Sequence, residues 1–416
     1  MKKIKLILTA GAIFLVILPA CKCSKSTMEN KTVAVVENTT PVNITENNNL
    51  FALDLYKKIG NNQANLFYSP YSISTALAMT YAGAKGKTEN EMAMVMHFPA
   101  NNAEFYTKYN DVLKNINALN NGSTVNIYTV NSIWAQKDFK FRDEFMGILK
   151  NSFNSSVNLV DFIKETENSR IQINKWVETQ TNEKIKELIK PGLIDYLTRM
   201  VLVNAIYFKA DWQTTFDKQQ TQKMDFRMDE TNAVSCDFMF AEQEFKFYEN
   251  EDGLKAIEIP YSSGKMSMLI ILPKDNAGFS TLKKEINPDF YKKVNSALVS
   301  KKVKLYLPKF KIISEFELSD MLKQMGMPEA FSDRADFSGM TGTKDLKISK
   351  VIHKAFVEVN ETGTEAAAAT AVVMRVKSMP VAPPEFRADH PFMFIIKENT
   401  DNSILFAGNI YNPTKE

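Results

Sequence analysis

The stretch "ETGTEAAAATAVVMRVKS", residues 361–378, constrains the fold more than any other part of the chain. Alanine has the best helix propensity, so the run at 366–369 favours a helix on local grounds. Yet the segment follows the strand-like "AFVEV" and precedes "SMPVAPP", whose prolines exclude a regular helix or a central strand. With the two-residue period of a strand, one face carries Thr364, Ala366, Ala368, Thr370, Val372, Met374 and Val376. The other carries Glu365, Ala367, Ala369, Ala371, Val373, Arg375 and Lys377, and every charge falls on this second set. An exposed alanine-rich helix or linker accounts for the alanines but not for the one-sided charges. The pattern predicts a strand with one face buried and one facing water. Thr362, Gly363 and Thr364 are expected at the bend where it begins, with Gly363 free of Cβ restrictions.

The chain has 416 residues, 44% hydrophobic and 24% charged, an ordinary globular composition that admits one large domain or several modest ones. Its formal net charge of +3 includes Lys2, Lys3 and Lys5; without them the chain is neutral. With no basic block, there is no electrostatic case for nucleic acid. "MKKIKLILTAGAIFLVILPAC" has a basic start, an apolar run too short for a span, and small residues before a cysteine. It reads as a secretory signal, 1–20. "LPAC" resembles the bacterial lipobox, which implies cleavage before Cys21, lipid on Cys21, and a place in the bacterial cell envelope, on the periplasmic or surface side of the outer membrane. Lys22 lacks the aspartate associated with inner-membrane retention. Plain secretion is the alternative. Cys23 and Cys236 suit no metal site, and Cys236 reads as a small apolar filler.

Residues 22–48 are polar and aperiodic, so 21–48 reads as a lipidated cysteine with a flexible tether. From 49 to 416 no second linker or repeat appears, which predicts a single large domain. "NNLFALDLYKKI", "SPYSISTALAMTYAGA" and "NSRIQINKWVETQTNEKIKELI" have helical periodicity, the last stopped by Pro191-Gly192. The runs 124–136, 199–212, 265–273, 301–310, 392–397 and 404–411 read as strands. Helices lead and strands follow, which predicts an α+β fold with mainly antiparallel sheets.

Catalytic signatures are missing. The three histidines, His97, His353 and His390, have no metal-ligand spacing, and no G-x-S-x-G, P-loop or G-x-G-x-x-G occurs. The sequence predicts no enzyme, no cofactor and no metal.

Six blocks resemble the serpin family, in the family's order and across essentially all of 49–416: "NLFYSPYSISTALAMTYAGAKGKTENEM", "INKWVETQTNEKI", "VLVNAIYFKADWQTTF", "VKLYLPKFKI", "ISKVIHKAFVEVNETGTEAAAAT" and "HPFMFIIKENTDNSILFAGNIYNP". The resemblance implies a large central sheet, two smaller sheets, about eight or nine helices and an exposed reactive-centre loop at about 361–384. It implies a monomer that inhibits serine, and sometimes cysteine, proteases as a suicide substrate. It places Ser69, Ser72, Asn204 and His353 in a hydrogen-bonded shutter beneath the sheet, and Trp212 at the breach where the loop enters. Glu361, Thr362, Gly363, Thr364, Glu365, Ala366, Ala367, Ala368, Ala369 and Thr370 fall on the hinge.

Counting along the family's usual loop from Glu361 puts the scissile bond at Lys377-Ser378. Counting back from Pro383-Pro384 lands on Pro380, so the loop is about three residues longer than the commonest form. Arg375-Val376 and Val376-Lys377 are the alternatives. A basic residue before the cut suits trypsin-like proteases. The competing readings are a non-inhibitory serpin that binds or stores, and a lipoprotein enzyme or solute-binding protein.

Overall fold

Ser69-Pro70 starts the helix that organises the molecule. The Ser69 hydroxyl accepts from the Ser72 amide (3.1 Å), and Pro70 occupies the first helical position, where its missing N–H costs nothing. All twelve residues of this helix, Pro70–Tyr81, are buried. In a computed structural model that describes residues 42–59, 64–364 and 382–415, it packs with the helix Ile44–Ile59 beneath the central sheet.

That sheet has six strands in the order Phe310–Glu317, Lys350–Val359, Gly363–Thr364, Met200–Asp211, Val125–Gln136 and Val157–Val160. Lys350–Val359 and Met200–Asp211 also pair directly and in parallel, from Lys350 opposite Val201 to Phe356 opposite Tyr207. Only at the top do they part, around Gly363–Thr364. A second, nine-stranded sheet joins the two smaller sheets through the 17-residue strand Ala233–Glu249. This strand pairs with Gln222–Arg227 at one end and Lys255–Pro260 at the other. Among the described residues there are ten α-helices, and the fold is α+β.

Three expectations change. Helix Ile44–Ile59 begins inside the stretch assigned to the tether, because Asn48 is not a solvated spacer. The Asn48 carboxamide accepts from Ser74 (2.6 Å), and Asn49 bonds the Asn402 carbonyl and the Ile404 amide. The helix expected to run to Pro191 spans only Thr166–Gln180. Asn182, Glu183 and Glu187 take positive φ, and Asn174 bonds both backbone groups of Ile189, folding Ile185, Leu188 and Ile189 inward.

The third change concerns the face expected to meet water. The sheet face bearing Val201, Val203, Ala205, Tyr207 and Ile352 is covered by Ile173 and Val177 of Thr166–Gln180. Both faces of the sheet's middle are therefore buried.

Cys236 is buried on Ala233–Glu249, opposite Met224, and burial pushes its thiol up to about 12. It is an inert filler there.

Candidate functional site

The upper half of the site is a turn and the first two residues of a strand. Asn360 ends Lys350–Val359 and caps the turn: its side-chain oxygen accepts from the Thr362 amide (3.1 Å) and hydroxyl (2.9 Å). Its carbonyl accepts from the Trp212 indole N–H (3.0 Å). The Thr362 carbonyl accepts from the Trp212 amide (2.9 Å), and the Glu361 carbonyl from the Phe216 amide (2.7 Å). The Glu361 carboxylate, almost fully buried, accepts from Thr221 Oγ1 (2.9 Å) and Lys309 Nζ (3.1 Å). Burial alone raises its pKa, but the backbone, Lys309 and Thr221 bonds outweigh that and hold it below the usual range.

Gly363 lies opposite Asp211, and Thr364 lies between Ala210 and Val359. A Cβ on Gly363 would stand 2.2 Å from the Ala210 carbonyl oxygen, so only glycine allows this approach. Thr364 is fully buried, and its hydroxyl shares a 3.1 Å hydrogen bond with the Tyr261 hydroxyl. The Tyr261 ring stacks on Trp212 with centroids 4.7 Å apart. Thr364, expected at the bend, is thus already a sheet residue. The bend is at 360–363, because Asn360 closes it early and Tyr261 receives the threonine. Next to it the buried Asp211 Oδ1 and Ser262 Oγ have no protein partner, and burial raises the Asp211 pKa.

The lower half is a hydrogen-bond chain across the closed part of the sheet. The Ser69 amide donates to His353 Nε2 (3.2 Å), which puts the ring proton on Nδ1. Nδ1 donates to the Asn204 side-chain oxygen, and the Asn204 amide donates to Ser72 Oγ. Asn131 lies against Ser72 and Asn204, and Ser69 Oγ donates to the Leu405 carbonyl (2.7 Å). Ser69, Ser72, Asn204 and His353 are all fully buried, and burial pushes the His353 imidazole down to about 3. It is neutral at physiological pH. His353 and Asn204 are also register partners on the two strands that face each other across the seam.

The structure thus joins Ser69, Ser72, Asn204 and His353 in one cluster, and Trp212 with Glu361–Thr364 in another. Glu365, Ala366, Ala367, Ala368, Ala369, Thr370, Arg375, Val376, Lys377, Ser378 and Cys21 lie outside the described residues. Sequence reasoning passes over Asn360, Lys309, Thr221, Phe216 and Tyr261. Asn360, before Glu-Thr-Gly, carries a readable turn signal. The other four come from distant strands and loops and carry none.

A family model, described as serpin (serine protease inhibitor), matches residues 46–413. The chain is 39% identical over 377 residues to a leukocyte elastase inhibitor of Xenopus laevis, covering 87% of this chain and 97% of that one. It is 37% identical to an uncharacterized serpin-like protein of Methanosarcina mazei, covering 99% of each. Among solved structures, uncleaved ovalbumin superposes with a TM-score of 0.80 at 30% identity, covering 89% of this chain and 100% of that one. Serpin48 of the insect Tenebrio molitor superposes at 0.78 with 35% identity, covering 89% and 98%. The chain belongs to the serpin family.

Proposed function

We propose that the protein is a suicide-substrate inhibitor of serine proteases, directed at trypsin-like enzymes, that traps the acyl-enzyme by drawing its cut loop into the central sheet. One observation carries this reading: Gly363–Thr364 is wedged between two strands that pair directly lower down, from Phe356–Tyr207 to Lys350–Val201. The wedge is antiparallel to both strands, so each further loop residue steps back by one on each. Six steps from Thr364 bring Thr370 opposite Asn204 and His353 together. Those two are already register partners, so the two ladders agree on where the strand would go.

Cross-strand neighbours share a face. Ala366, Ala368, Thr370 and Val372 would join Phe208, Ile206, Asn204 and Leu202 on the buried side. Ala367, Ala369 and Ala371 would join Tyr207, Ala205 and Val203, under the helix Thr166–Gln180. The alanines have a reason on both faces: the strand passes through a slot closed above and below, where larger side chains would overpack it.

Insertion replaces one parallel ladder with two antiparallel ones. Each ladder bond contributes about 0.5–1.5 kcal/mol net, so an added edge of several bonds outweighs a few broken contacts. Some 14 residues at about 3.3 Å each would carry an attached protease roughly 46 Å. The bait bond is Lys377-Ser378, with Arg375-Val376 and Val376-Lys377 as alternatives. Incubation with trypsin followed by a denaturing gel is expected to show a covalent complex of summed mass, with the cut mapped by mass spectrometry. Cleaved chain with no complex would make the protein a substrate only. We also propose lipid attachment at Cys21, which intact-mass analysis of the membrane-extracted protein would reveal as an acylated N-terminus.

A further inference from the structure

We propose that Tyr261 is a positioning residue that sets how much of the reactive loop is seated in the sheet before any cleavage, by receiving Thr364. The proposal rests on the loop-insertion reading above and adds to it a resting state with one loop residue already in place.

Thr364 is flanked by strands on both sides and has no exposed surface, so its hydroxyl must find a partner inside the protein. That partner is the Tyr261 hydroxyl, 3.1 Å away and equally buried. Tyr261 cannot move to accommodate it. Its amide donates to the Met266 carbonyl (2.9 Å), and its backbone bridges to Trp212. One face of its ring lies on the Trp212 indole, and it meets Phe208 edge-on at 5.3 Å. The hydroxyl is therefore held at one point, and the threonine is received there or leaves the sheet.

A pair of buried hydroxyls has an asymmetric energetics. Removing one leaves the other unsatisfied, whereas removing both is nearly neutral. Tyr261→Phe orphans the threonine, and Thr364→Val, which matches its volume, orphans the tyrosine. Each single change is expected to shift the balance about tenfold towards the unseated loop, and the double change is expected to restore it.

Seating is measured without any protease. In a chain with Cys21, Cys23 and Cys236 changed to alanine, Thr364→Cys should react with a soluble thiol reagent at least about tenfold more slowly than Thr231→Cys, an exposed control. Because the cysteine itself removes the threonine hydroxyl, the effect of Tyr261→Phe is read with Thr364 intact: amide hydrogen exchange of the peptide 360–364 should quicken about tenfold. Equal rates at 364 and 231, or no response to Tyr261→Phe, overturn the proposal. The ratio of cleaved to complexed chain with trypsin should rise in each single variant and fall back in the double. Additive losses would mean that the two hydroxyls act independently and not as a pair, which also overturns it. If the unaltered protein forms no complex, the inhibitor reading fails, while the labelling still decides whether Thr364 is seated.

Discussion

The top and the middle of the central sheet solve opposite problems with similar residues. At the top, Asn360, Glu361, Thr362 and Thr364 hold two strands apart, each tied by hydrogen bonds to Trp212, Phe216, Thr221, Lys309 or Tyr261. In the middle, Ser69, Ser72, Asn204 and His353 hold the same two strands together from below, and the strands bond directly. Polar groups are buried in both places, yet in one they open the sheet and in the other they close it. A strand entering from the top therefore meets little resistance at first. It must then break the His353–Asn204 bond six residues in.

The strongest way to break this comparison is Thr364→Arg, which puts an unpaired charge at the seated position. Burying such a charge costs several kcal/mol, so the complexed fraction is expected to fall by on the order of a hundredfold while cleavage continues. Undiminished complex on a denaturing gel would refute insertion from this point. Next, Ala369→Phe places a large ring in the slot beneath Thr166–Gln180. Overpacking costs about 1–3 kcal/mol, which predicts roughly a tenfold or greater rise in the ratio of cleaved to complexed chain.

At the seam, Asn204→Ala leaves the buried His353 N–H unsatisfied and should lower stability to denaturant by about 1–3 kcal/mol. Acid acts on the same place. The native imidazole stays neutral down to about 3, whereas in the unfolded chain it titrates near 6.5. Only the unfolded state takes up the proton between those values, so stability is full above about 6.5 and falls below it by up to about 1.4 kcal/mol per pH unit. His353→Gln should flatten that slope in pH-dependent denaturation. The smallest effect is expected at the top, where Lys309→Ala removes one of several partners of Glu361. A loss of about 1 kcal/mol by chemical denaturation is expected. Glu361 is held below its usual range, so its contribution is present above about pH 4.5 and is lost as the pH falls further.

What could be read in advance depended on how far apart the partners are in sequence. Strand 125–136 and the helix at 70 were legible because period and capping are local signals, and the six family blocks located the two clusters. The cover on the supposedly wet face was not legible, because Ile173 and Val177 look like any amphipathic helix until the sheet beneath them is known. The early seating of Thr364 was likewise hidden. Nothing around Tyr261 in sequence points to a residue more than a hundred positions away. The long strand Ala233–Glu249 was missed for another reason: its alternation changes phase where it passes from one partner strand to the next.

If the loop inserts as proposed, the pairing of His353 with Asn204 also fixes how the molecule is consumed. A residue lodged between them holds them too far apart to rejoin, and the wedge that admitted it has no counterpart at the foot of the sheet to expel it. On the proposed mechanism each copy would then be spent in a single encounter, whether that ends in capture or in a wasted cut. The supply of such an inhibitor would behave like a stock of ammunition, measured by how many copies remain and not by how fast any one of them works.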